Sequence, residues 1–174
     1  MSRNHLVYII GFMGSGKTTA GKKLAAALGW SFIDLDKKIE EHTGKIIPDI
    51  FSQNGEVWFR NVEAEVLRSL NELTNTVIST GGGAPCHDDN MDYMLETGFT
   101  VYIKLNPEQL KSRLITSKGV RPLIQGLSAD ELLEFIEDKL SIREKWYNRA
   151  EITVEGINTD IDLIMSLVSD KMNL

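Results

Sequence analysis

Short apolar, β-rich runs that alternate with longer helical patterns predict an α/β fold built on a parallel sheet. Two further observations agree. The first apolar run leads straight into a glycine-rich loop and then a helical pattern, and the second ends in two aspartates. In open α/β sheets ligands bind at the carboxyl ends of strands, where these residues fall.

Taken in order, strands are expected at Leu6–Ile10, Ser31–Leu35, Thr76–Ser79, Thr100–Leu105 and Ile152–Val154. Helices are expected at about Lys17–Leu28, Glu56–Leu70, Asp88–Glu96, Pro107–Thr116, Ala129–Arg149 and Asp160–Lys171. Gly29 follows the first helix as a stop, because glycine accepts the left-handed conformation there. Between the second strand and the Glu56 helix, residues 36–53 hold two short helical pieces broken around Gly44 and Pro48. That is more chain than a crossover needs, and it predicts an inserted substrate-binding region covering about residues 36–62. Asn106-Pro107 reads as a cap followed by proline at the first helical position. Polar residues 117–126, which carry Arg121, join two helices and are expected to act as a lid. Ser128-Ala-Asp-Glu131 reads as a capping box opening the next helix.

The 174 residues suit one domain with a full core. The net charge of −6 gives no basic footprint for nucleic acid or an anionic membrane. Leu6–Ile10, the longest apolar run near the start, is too short to span a bilayer, and it lacks a signal-peptide pattern. A single cysteine, Cys86, allows no intramolecular disulfide and suits a reducing compartment, so the cytoplasm is expected. His5, His42 and His87 have no metal-site spacing.

Gly11-Phe-Met-Gly14-Ser15-Gly16-Lys17-Thr18 matches G-x-x-x-x-G-K-[ST] throughout, with Thr19 next in the helix. The small residues let the backbone bend tightly and aim several N–H groups inward, beside the positive end of the following helix. Lys17 adds a point charge for the β/γ-phosphates of a nucleoside triphosphate, and the Thr18 hydroxyl can ligate Mg²⁺. The D-x-x-G and [NT]-K-x-D elements of common GTPases are absent, as is a D-G-x-P-R lid pattern. A small-molecule kinase survives this elimination.

Asp34-Leu-Asp36 puts two carboxylates at the end of the second expected strand, where residues two apart share a side. A cation or a donor-rich substrate would relieve their repulsion, although Asp36 equally suits capping a helix from Lys37. Gly81-Gly82-Gly83 directly behind a strand suits close approach of backbone to a ligand, a flexible turn being the plainer alternative. Arg60, Arg121 and Arg143 offer bidentate grip on carboxylate or phosphate, though each taken singly suits a solvated surface better.

As an ordered set, these residues resemble the shikimate kinase family. The resemblance covers the Gly11–Thr18 loop, Asp34-Leu-Asp36, Gly55 to Arg60, Gly81–Gly83, Arg121-Pro-Leu, and Arg143 four residues before Tyr147. It implies a P-loop NTPase-type three-layer α/β/α fold with five parallel strands, a substrate-binding insertion and a lid. It also implies transfer of the ATP γ-phosphate to the 3-hydroxyl of shikimate, on the route to chorismate and aromatic amino acids. By position, Arg60 and Arg143 resemble the pair that holds the shikimate carboxylate, and Asp36 the group that bonds its hydroxyls and accepts the proton. Gly81–Gly83, chiefly Gly82, resembles the segment against the substrate ring. Lys17 and Arg121 resemble the phosphate-stabilising cations, and Thr18 the Mg²⁺ ligand, with Asp34 acting through water. Family members often carry an arginine ahead of the lid that stacks on adenine, and the candidates here are Arg113 and Lys118. Gly156–Thr159 occupies the place of an adenine-side loop. A monomer is expected, since one chain supplies both cleft and lid.

Two rivals remain from sequence. A gluconate-type sugar-acid kinase would share the phosphate loop, and a nucleotide-binding regulatory module would bind without turnover.

Overall fold

The computed structural model describes residues 5–117 and 121–172. Five strands form one sheet: β1 (Leu6–Ile10), β2 (Ser31–Asp34), β3 (Thr76–Ser79), β4 (Phe99–Lys104) and β5 (Ile152–Glu155). Their order is β2-β3-β1-β4-β5, and every pairing is parallel. The expected α/β class and five parallel strands are thus found.

β1 is buried along its whole length, as an unbroken apolar run in a central parallel strand requires. Its side chains alternate between two cores. Leu6, Tyr8 and Ile10 join one layer, Val7 and Ile9 the other. The Val7 and Ile9 layer packs against α1 (Lys17–Leu28) and α7 (Ile161–Met172), through residues such as Leu24, Ile164 and Val168. The opposite layer holds α2 (Leu35–Thr43), α3 (Ile47–Ser69), α4 (Asn90–Thr97), α5 (Pro107–Thr116) and α6 (Ala129–Tyr147). Burying each large aliphatic side chain contributes roughly 1.5–3 kcal/mol, and this two-sided burial fixes the sheet's register.

β1 lies between β3 and β4, so the chain leaves it in one direction across the sheet and later returns on the other side. Such a switch point opens a crevice at the carboxyl ends of the strands. The glycine-rich loop emerges there from β1, and Thr80–Gly83 from β3.

Local signals are met at most boundaries. Gly29 caps α1 in the left-handed conformation, and Asn106 and Ser128 each form a reciprocal capping box with Gln109 and Glu131. The second strand departs from expectation by ending at Asp34, one residue early. Leu35 already belongs to α2, and the Asp34 carboxylate accepts the N–H groups of Asp36 and Lys37 at 3.1 and 3.5 Å. Asp34 is therefore the cap, not Asp36. Pro48 does not break a helix either; it sits in the first turn of α3, where a missing N–H costs nothing. The expected break at Gly44 is present, as the left-handed C-cap of α2. A second interruption at Gly55, with φ of 82° and ψ of 172°, bends α3 and divides residues 47–54 from the Arg60 segment. A 3₁₀ turn, Ala84–Cys86, delays α4 until Asn90, and α6 stops at Tyr147, two residues short of the expected end.

Candidate active site

The bend between β1 and α1 is shaped by glycines that no other residue replaces cheaply. A Cβ on Gly11 would lie 2.7 Å from the Ile103 carbonyl oxygen, and Gly14 and Gly16 hold φ of 78° and 95°. Gly16 caps α1 without any side-chain hydrogen bond, which leaves the first amides of the helix to an anionic ligand. Lys17 is only 8% exposed, and its ammonium donates to the Phe12 carbonyl at 2.8 Å. Burial pushes its pKa down to about 8, against a partial pull upward from the Asp36 charge.

Thr18, in the first turn of α1, donates its hydroxyl to the Asp34 carboxylate at 3.1 Å. Asp36 sits in the first turn of α2, so its approach to Asp34 arises from the helix start rather than strand alternation. The Asp36 carboxyl is raised well above the usual carboxylate range, first by burial and then by the Asp34 charge, with Lys17 and Arg60 opposing.

Behind β3 the three glycines are crowded in three different ways. A Cβ on Gly81 would meet Glu63 Oε1 at 2.9 Å and Asp36 Oδ1 at 3.0 Å. One on Gly82 would stand 3.1 Å from the Met13 amide nitrogen and 3.5 Å from Arg143 Nη1. One on Gly83 would overlap the Arg60 guanidinium. The triplet is thus closely packed by Glu63, Asp36, Met13, Arg143 and Arg60, which leaves little room for a side chain at any of the three positions.

Arg60 lies one turn past the Gly55 bend and donates to Glu63 at 2.7 Å and to Glu56 at 3.3 Å. Arg143, late in α6, is 8% exposed and lies over the Phe12 ring. Its Nη1 has no hydrogen-bond partner among the described residues, which suits an awaited anion. Arg121 Nε is likewise unpartnered and its charge faces Asp36.

Two cavities meet here. One, of about 410 Å³, is bordered by Gly14, Gly16, Lys17, Thr18, Thr19 and Arg113. The other, of about 370 Å³, is bordered by Arg60, Arg143, Glu63, Gly83 and an apolar wall of Ile47, Pro48, Phe51 and Phe59. Met13, Asp34, Asp36, Gly81, Gly82 and Arg121 border both. Gly14, Gly16, Lys17, Thr18, Thr19, Asp34, Asp36, Arg60, Gly81, Gly82, Gly83, Arg121 and Arg143, singled out from the sequence, thus line one continuous double chamber. Ser15 instead faces an adjoining cavity of about 230 Å³ with Gly16, Thr19, Arg113 and residues 157–159.

Glu63 escaped sequence reasoning, and Tyr147 entered it only as a position in the family pattern, without a role. Glu63 is wholly buried, and burial pushes its carboxyl up to about 7 while Arg60 pulls it back. Its signal was present: positions 59, 62, 63, 66, 67 and 70 form a helical apolar stripe, and a glutamate on that stripe needs a buried partner. Tyr147 donates its hydroxyl to the Gly82 carbonyl. Of the two candidates for the nucleotide side, Arg113 reaches the phosphate loop, with Nε donating to the Gly14 carbonyl at 2.7 Å. Lys118 lies outside the described residues.

Known proteins are similar to this chain in sequence and fold. A protein-family model described as shikimate kinase matches residues 13–172. A shikimate kinase of Parabacteroides distasonis is 46% identical over 150 residues, covering 86% of this chain and 87% of that one. The crystal structure of shikimate kinase from Bacteroides thetaiotaomicron superposes with a TM-score of 0.88 at 39% identity, covering 97% and 98% of the two chains. Shikimate kinase from Acinetobacter baumannii, solved in complex with shikimate, gives 0.83 at 35% identity, covering 99% and 95%.

Proposed function

This chain belongs to the shikimate kinase family, and on that footing we propose that it transfers the γ-phosphate of ATP to the 3-hydroxyl of shikimate, giving shikimate 3-phosphate and ADP. The observation that carries the reading is the double chamber. A phosphate-binding bend and a pair of arginines face each other across Asp36, Gly82 and Arg121.

The triphosphate seats in the amide-lined bend of residues 11–18, with its nucleoside end toward Arg113 and residues 157–159. Arg60 and Arg143 hold the substrate carboxylate, and Glu63 keeps Arg60 aimed. The ring lies along the Gly82 backbone, against the wall formed by Ile47, Phe51 and Phe59. Asp36 then meets the hydroxyl that attacks. Phosphoryl transfer passes through a loose transition state, so Asp36 chiefly orients that hydroxyl and receives its proton as the bond forms. Its raised affinity for a proton suits this duty. Lys17 and Arg121 face the charge that develops on the transferring group, and this electrostatic stabilisation supplies most of the rate.

The site's oxygens suit Mg²⁺. Thr18 and Asp34 place a hydroxyl beside a carboxylate at the nucleotide cavity, and the charge of Asp34 bears on Asp36. Among the described residues no group of three acidic, histidine or cysteine side chains forms a metal cage, in keeping with an ion held largely by phosphate and water. When bound through Thr18 and, by way of water, Asp34, Mg²⁺ would neutralise charge on the β- and γ-oxygens.

In a single kinase domain, residues 36–62 are read as the substrate-binding insertion and residues 117–126 as the lid, of which 118–120 lie outside the described residues. One chain builds the whole chamber, which supports action as a monomer. No helix among the described residues is long and apolar enough to cross a membrane. The lone cysteine and the net charge of −6 support a cytoplasmic enzyme with no nucleic-acid partner. The test is a coupled ADP-release assay with shikimate and with gluconate. Turnover with shikimate alone is expected. Turnover on gluconate alone would reassign the substrate, and ATP binding without acceptor-dependent release would leave a regulatory module.

A further inference from the structure

Arg143 and Tyr147 lie four residues apart on α6, so they share one face of the helix. Tyr147 is wholly buried, with its ring against Tyr102 at a centroid separation of 5.0 Å. Its hydroxyl donates to the carbonyl of Gly82. That carbonyl belongs to the backbone segment that borders both cavities, and the neighbouring Arg143 Nη1 would stand 3.5 Å from a Cβ placed on the same glycine. One helix face therefore carries the cation for the substrate's carboxylate and the anchor for the backbone beneath its ring.

We propose that Tyr147 is a positioning residue, whose buried O–H ties Gly82 to α6 and so fixes the distance between the substrate-bearing backbone and the Arg143 guanidinium. The inference rests on the shikimate reading of the site. It goes beyond that reading by giving recognition of a rigid acid a specific cause. A carboxylate and a ring joined by a short bond bind well only when the cation and the backbone keep one spacing. Burial keeps the phenol protonated far above its ordinary range, so it remains a donor at every working pH. The neighbouring Tyr102 hydroxyl is buried too, but has no partner among the described residues, and it supplies a matched control.

Tyr147→Phe removes one oxygen and preserves the ring. Steady-state kinetics should show KM for shikimate raised roughly 5- to 20-fold, with kcat and KM for ATP within about twofold of wild type. The preference for shikimate over its neutral methyl ester should narrow, because the carboxylate contact is the one displaced. Tyr102→Phe should leave all of these unchanged. An unchanged KM and acid-to-ester ratio in Tyr147→Phe would overturn the proposal. Equal losses in Tyr102→Phe would also overturn it, by making the effect one of ring packing. If Tyr147→Phe does not fold, Gly82→Ala, which crowds the same backbone, must narrow the acid-to-ester ratio, and a ratio like wild type's would count against the proposal. Wild-type protein that leaves shikimate unphosphorylated would defeat the substrate reading and this inference with it.

Discussion

Arg60 donates to Glu63 at 2.7 Å, one turn along α3, and Glu63 is fully removed from solvent. A carboxylate in that position is costly, and burial raises its pKa from 4.5 to about 7. The folded-state value lies above the unfolded one. Between those pH values the native state therefore binds more protons than the unfolded chain, and stability is lost as pH rises through the window. The expected contribution is at most roughly 3 kcal/mol. Thermal unfolding from pH 4.5 to 8 should accordingly show a downward slope that Glu63→Gln flattens. An identical slope in the variant would refute a raised Glu63.

Arg143→Ala should weaken the acid and spare the nucleotide. Losing one of two buried partners of a carboxylate costs about 2 to 4 kcal/mol, or roughly 30- to 1,000-fold in shikimate KM. KM for ATP should move little. Equal damage to both constants would show that Arg143 holds the fold rather than the substrate.

Gly83→Ala separates function from stability at a single atom. The glycine's φ of −88° suits any residue, so the backbone tolerates the change, while the new Cβ overlaps the Arg60 guanidinium. The melting temperature should hold within a few degrees, and shikimate KM should rise about tenfold as Arg60 is pushed aside. A variant with wild-type KM would mean that Arg60 has another productive pose.

Lys17→Ala and Arg121→Ala should each lower kcat on the order of 10²- to 10⁴-fold with circular dichroism unchanged. Arg113→Ala should act on the other constant, raising KM for ATP about tenfold through loss of its contact with the Gly14 carbonyl and the neighbouring cavity. Turnover near wild type in Lys17→Ala or Arg121→Ala would remove that residue from the phosphate chemistry.

Much of the fold and site was legible because the chemistry sits on contiguous motifs. The phosphate loop, the triglycine and Asp34-Leu-Asp36 each announce themselves by local backbone needs that few residue types satisfy. Arg60 and Arg143 were legible only through their place in a family pattern, since one solvated arginine looks like another in sequence. What stayed hidden depends on contacts between distant segments. Whether Asp34 or Asp36 caps α2 is decided by one residue of strand length. Tyr147 meets Gly82 across 65 residues, a pairing that periodicity cannot reveal. Glu63 was readable in principle from its place on an apolar stripe, yet its partner Arg60 had been assigned wholly to the substrate. Gly55, rather than Pro48, bends α3 because proline in a first turn is harmless, whereas ψ of 172° interrupts the hydrogen-bond ladder.

The most direct check is on the product itself. After incubation of the protein with ATP, Mg²⁺ and shikimate, phosphorus NMR should show one new phosphomonoester whose phosphorus couples to the proton on ring carbon 3, formed in step with ADP. A mixture that yields no such ester, or in which ADP appears at the same rate without shikimate, would contradict the picture of two chambers meeting at Asp36.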